Sequence, residues 1–285
     1  MASTTRGERN FYLTWVTTWS ADIVDQFAQL AGPLSCVRGG TYHVGVADPL
    51  LHGLSNGDKS RISCPRAHEG VELDEIIVLR TMCTSALLRW VGELSLRYNS
   101  FAEELAGGVA LPSNSGPTEN PSIWAAVSLA TRLGMRLPTE EEWEAAVFGC
   151  KSREDLEREF WRQVEFARAR SEEPFAGSHI VSELTSTVGF GMEPRSPGEA
   201  LEDFTCSSSL RNWPGVVSRG YGISTPNLFS RYSLRFGHPA VGCRFVVEAK
   251  AIREMDPCPF KDHLLSVVAD SSRVSRSAFE EYFSS

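Results

Sequence analysis

The sequence predicts an α+β fold, and three observations carry the prediction. SADIVDQFAQLAG (20–32) and TSALLRWVGELSLRY (84–98) space apolar residues three and four apart, as a half-buried helix does. VELDEIIVLR (71–80) reads as a strand, and residues 214–248 alternate short apolar runs with Gly and Pro, as hairpin strands do. GMRLPTEEEWEAAV (134–147) marks a sharp helix start: Thr139 can cap, and Glu142 three residues on completes a capping box.

In chain order, Ser20 is expected to cap a first helix whose stripe is Ile23, Val24, Phe27 and Leu30, ended by Gly32-Pro33. Residues 34–46 alternate around Gly39-Gly40 and suggest a strand pair or a bulged strand. Residues 47–69 read as loop. In 84–98, Leu87, Leu88, Val91 and Leu94 point inward. Residues 106–122 form a long loop rich in Gly, Pro, Asn and Ser, followed by a helix over 122–134 with Ser122 at its cap and Gly134 at its end. Pro138 keeps Leu137 extended before the Thr139 cap, and Glu140, Glu141 and Glu142 suit the positive end of the helix dipole. Capping accounts for these glutamates, so they are not read as catalytic carboxylates. Residues 152–173 form a charged helix with Leu156, Phe160 and Val164 buried. Residues 174–213 are irregular with short strands, and 249–285 hold one or two short helices around HLLSVV and SAFEEYF.

The chain has 285 residues, 42% hydrophobic and 22% charged, a balance that supports one large domain or two small ones. Its net charge of −8 argues against nucleic acid as the main partner, because phosphate binding needs a basic face. Arg211, Arg219, Arg231, Arg235 and Arg244 cluster late but read as solvated groups pairing with acids. Seven cysteines without a C-x-x-C pair, and first residues without an apolar stretch, suggest reduced thiols in a cytoplasmic compartment. No run of 18 apolar residues predicts a membrane span. The six histidines, His43, His52, His68, His179, His238 and His263, show no H-x-x-H or H-x₃-H spacing and are read as surface or hydrogen-bonded residues.

The order of the segments resembles that of the formylglycine-generating enzyme (sulfatase-modifying factor) family. VRGGTYHVG (37–45) is similar to its GGTFxMG strand, and VELDEIIVLRTMCTSALLRWV (71–91) to the segment that follows. NPSIWAAVSLATRLGMRLPTEEEWEAAV (120–147) resembles the family's central RLPTEAEWE motif, GEALEDFTCSS (198–208) its GNVWEW, and residues 216–246 its VxRGGSW…GFRxV end. The resemblance implies a variant C-type lectin fold over 34–248 with added helices, namely a helical extension at 1–33 and a helical tail at 249–285. It implies that Arg136 and Glu142 are internal pairing groups and Trp143 a core aromatic.

The family's oxidases hold copper with two cysteines after RGGS, since thiolates suit Cu(I). Here no cysteine stands between Arg219 and Gly242, and Cys243 stands alone in the GFR element. The expected function is therefore a non-catalytic binding protein, a pseudoenzyme recognising a protein partner, with no catalytic residue, metal ligand or cofactor assigned. The resemblance admits a structural calcium ion. The candidate binding residues are Arg219, Tyr221, Phe229, Arg231, Tyr232, Arg235 and Phe236, residue types enriched at interface hot spots. The face they form and the added helices are the expected docking elements. Two alternatives stand beside this. One is an oxygen-dependent metalloenzyme with an atypical site. The other is a ligand-binding variable protein of a diversity-generating retroelement, suggested by the absence of Lys, Glu, Gln, Met and Trp from 214–247.

Overall fold

The computed structural model describes residues 15–59, 67–98, 129–170, 182–190, 193–194, 216–219, 228–229, 231–234 and 241–270. The first half runs α1 (Ala21–Ala31), β1 (Leu34–Val37), β2 (Gly40–Val44), α2 (Asp48–His52), α3 (Asn56–Lys59), β3 (Glu69–Leu73), β4 (Ile76–Leu79) and α4 (Ser85–Tyr98). The second runs α5 (Glu140–Phe148), α6 (Arg153–Arg170), β5 (Ser182–Phe190), β6 (Glu193–Pro194), β7 (Val216–Arg219), β8 (Arg231–Leu234), β9 (Val241–Cys243), β10 (Val246–Glu248), α7 (Ala249–Glu254) and α8 (Pro259–Ala269). The architecture is α+β with small, mostly antiparallel sheets.

The central sheet has the order β1-β4-β10, with Leu34 opposite Leu79 and Val246 opposite Val78. It is buried on both faces, which is why Ile76-Ile77-Val78-Leu79 is uniformly apolar rather than alternating. Ile77, Leu79, Leu34 and Val247 join one core with Val24 and Phe27 of α1, Leu87, Leu88, Val91 and Leu94 of α4, and Phe260 and Leu264 of α8. Ile76, Val78, Val37 and Val246 join a second with Trp143, Val147 and Phe148 of α5 and Leu156, Phe160 and Val164 of α6. The described parts of 1–33 and 249–285 thus complete the core of the central sheet. Their apolar faces pack inward.

Gly39 and Gly40 explain why 34–46 is neither a bulged strand nor a strand pair. β1 and β2 do not pair with each other, since β2 leaves the central sheet to form a separate ribbon with β3. Gly40 takes φ +132, a backbone few other residues adopt, and a Cβ on Gly39 would press to 3.3 Å from the Glu75 nitrogen. Residues 71–80 likewise split at Asp74-Glu75, giving β3 to the ribbon and β4 to the sheet.

Other expectations need correction. Ser20 occupies the N-cap position of α1 but its side chain makes no capping bond. The stretch read as loop at 47–69 contains α2 and α3. Residues 174–213, read as irregular with short strands, include the two-residue β6 and a longer strand than expected, nine-residue β5, which pairs with β6, β7 and, in parallel, β9. The long loop at 106–122, Ser122 and the SAFEEYF helix lie outside the described residues. No described helix is long and apolar enough to cross a membrane.

Candidate functional site

The Arg136–Trp143 segment is a structural joint. Arg136 bridges Val246 through backbone hydrogen bonds of 2.9 and 2.8 Å, so the RLPTEEEW stretch extends the β10 edge of the central sheet. The Glu142 nitrogen donates to the Thr139 hydroxyl at 3.2 Å, and the Thr139 nitrogen donates to Glu142 Oε2 at 2.8 Å, completing the capping box. Arg136 also donates through both terminal nitrogens to Glu142 at 2.5 Å and, at 3.3 Å, to Glu248 Oε1. Trp143 is fully buried. Arg136, Thr139 and Glu142 are thus paired with one another, and Trp143 is packed in the core.

The expected binding face is brought together only in part. β7 and β8 pair antiparallel, with Arg219 opposite Arg231 and Ser218 opposite Tyr232. Tyr221, Arg235 and Phe236 lie outside the described residues. Phe229 is a correction: it is completely buried, stacked on Phe148 with centroids 4.4 Å apart and edge-on to Phe160 at 5.5 Å. Its ring fastens this segment to α5 and α6 and offers nothing to a partner.

The described cysteines, Cys36, Cys83, Cys150, Cys243 and Cys258, are buried free thiols. The Cys83 nitrogen donates to the Cys243 carbonyl at 2.9 Å, so these two residues adjoin within the first core. Cys243 is completely buried and Cys83 nearly so. Both residues lie within the apolar packing of the first core. Among the described residues no three His, Cys, Asp or Glu side chains are grouped to hold a metal ion.

No protein-family model and no curated protein matches the chain.

Two polar clusters escaped the sequence reading. In the first, Glu75 accepts from Arg38 Nη1 at 2.8 Å and from Arg253 Nη2, while Arg38 Nη2 donates to the Val268 carbonyl at 3.2 Å. This fastens α7 and α8 to the β3–β4 corner. Burial alone would raise the Glu75 pKa, but the hydrogen bonds and charges of Arg253 and Arg38 outweigh it and hold the carboxyl below its usual range. Burial and the Glu75 charge push the neighbouring Cys36 thiol up to about 11, so it is no nucleophile at neutral pH.

The second cluster is on the β2–β3 ribbon. Tyr42 and Val44 face the core, so Thr41 and His43 lie on the outer face with Gly70 and Glu72. His43 stands opposite Gly70 and reaches diagonally to His68, with His43 Nδ1 3.1 Å from His68 Nε2. At the other end, Lys151 Nζ sits 3.2 Å from the centroid of the Tyr42 ring. Burial lowers the Lys151 pKa, with Glu72 opposing. The histidines are 25 residues apart, so no local spacing pattern could have shown them; the ribbon register alone brings them together.

Proposed function

We propose that this chain is a non-catalytic binding protein on a formylglycine-generating-enzyme-like scaffold, and that it recognises a protein partner through the β7–β8 ribbon. The observation that carries the reading is the state of Cys243. It is the lone cysteine of the segment where the family's oxidases need two, and its sulfur is sealed in the core. The scaffold assignment is supported by the Arg136–Val246 bridge, which seats the RLPTEEEW motif against the GCRFV segment 110 residues later, and by the Arg136–Glu142 pair. Arg219, Arg231 and Tyr232, adjacent in the β7–β8 register, remain the anchors for the partner.

The test begins with affinity capture from the source cells, followed by reconstitution with the purified captured protein. A stoichiometric complex with wild type, weakened at least tenfold by Arg231→Ala with Tyr232→Ala, supports the reading. Equal affinity of wild type and variant rejects this face.

A further inference from the structure

The two rings of the His43–His68 pair are nearly parallel, 11° between planes, with centroids 5.3 Å apart. Parallel planes alone would suit a face-to-face stack, but the distances do not. A five-membered ring with bonds of about 1.33 Å places each nitrogen about 1.1 Å from its centroid. The centroid separation therefore matches the nitrogen separation lengthened by one ring radius at each side. The two nitrogens lie on the line between the centroids, the rings are edge to edge in one plane, and the facing nitrogens point at each other. This is the geometry of a linear N–H···N hydrogen bond. It needs one donor and one lone pair, so it forms with one shared proton and is lost when both facing nitrogens carry protons.

We propose that His43 and His68 act as a single proton-sharing clip that holds the start of β3 against the end of β2, and that uptake of a second proton opens it. The clip is placed where opening has a local consequence. The His68 nitrogen donates to the Val46 carbonyl at 3.1 Å, and Val46 and Ala67 form an isolated parallel bridge. Beyond these backbone contacts, the side-chain bond ties the outer faces of the two strands. His43 is fixed from behind, its nitrogen donating to the Cys150 carbonyl at 3.0 Å.

The surrounding charges do not rescue the doubly protonated state. Arg153 of α6 opposes protonation of His68, while Glu157 of α6 and Glu69 of β3 favour it. Glu72 is engaged by the Thr41 hydroxyl, Lys151 lies over Tyr42, and Glu144 of α5 accepts from the Gly45 nitrogen. Burial, then the charge of His43, leave the His68 pKa below its ordinary value.

The experiment is a titration of the folded chain, with ¹⁵N-labelled histidine, followed by NMR together with amide hydrogen exchange. The clip gives a scalar coupling across the hydrogen bond between His43 Nδ1 and His68 Nε2. The charge of a protonated His43 opposes protonation of His68, so the His68 titration changes when His43 is replaced. Protection of the Val46 and His68 amides, each referred to its intrinsic exchange rate, falls at least tenfold through the His68 titration. In His43→Gln the His68 titration shifts, and in both His43→Gln and His68→Gln the drop in protection disappears. No coupling across the pair, or a His68 titration unchanged by His43→Gln, overturns the proposal.

Discussion

Replacing Glu142 by Ala removes two functions of one carboxylate. It breaks the reciprocal half of the capping box, and it strips Arg136 of both 2.5 Å hydrogen bonds. The Arg136 side chain is 11% exposed, and one carboxylate still within reach is Glu248, 41% exposed and at 3.3 Å. Removing one member of a buried pair costs about 3–5 kcal/mol. Partial compensation by the wetter Glu248 brings the expected loss to about 2–4 kcal/mol. Thr139→Ala, which leaves the ion pair intact and removes only the hydroxyl acceptor, is expected to cost about 1 kcal/mol. Urea denaturation monitored by far-UV circular dichroism measures both. The ordering is the test: Glu142→Ala costing no more than Thr139→Ala would refute the view that the ion pair, rather than the cap, secures this joint.

Other expectations follow from the same packing and charge arguments. Phe229→Ala, losing its stack on Phe148 and its edge contact with Phe160, should destabilise by about 3–5 kcal/mol in the same assay; a loss below about 1 kcal/mol would return Phe229 to the surface. Glu75 has a lowered folded-state pKa, so its contribution is present above its unfolded pKa and lost as pH falls through the folded one. Glu75→Gln should therefore flatten the acid limb of the stability–pH curve, and an unchanged limb would refute the cluster's role. His68 also has a lowered folded-state pKa, and the sign again makes stability rise with pH: the unfolded chain binds the proton more readily below the ordinary histidine value. His43→Gln should shrink that rise below the ordinary histidine value, and an equal rise in wild type and variant would argue against coupling between the rings.

The parts of the fold legible in the sequence were those fixed by local chemistry. The α5 start could be read because Thr139, Pro138 and Glu142 act within one helical turn. The buried faces of α4 and α6 could be read because Leu87, Leu88, Val91, Leu156, Phe160 and Val164 recur at helical spacing. Pairing was not legible. LSCVRGGTYHVGV shows two alternating runs but not that Gly39-Gly40 sends them to different sheets, because strand partners are chosen by contacts far along the chain. Phe229 fails for a related reason: an aromatic among arginines and tyrosines looks like an interface anchor until Phe148 and Phe160, from two separate helices, are placed around it. The His43–His68 pair and the Glu75 cluster likewise depend on the register of the ribbon and the docking of α7, which no residue near them in sequence announces.

The measurement that bears most directly on the proposed function is an anaerobic Cu(I) titration of the purified, fully reduced chain beside Cys243→Ser and Cys83→Ser, followed by oxygen-uptake measurements with a thiol reductant. A core-sealed Cys243 predicts no stoichiometric copper that survives a competing chelator, and oxygen uptake no greater in wild type than in the variants. One tightly held copper per chain, lost together with oxygen uptake in Cys243→Ser, would contradict the account and restore the oxidase reading.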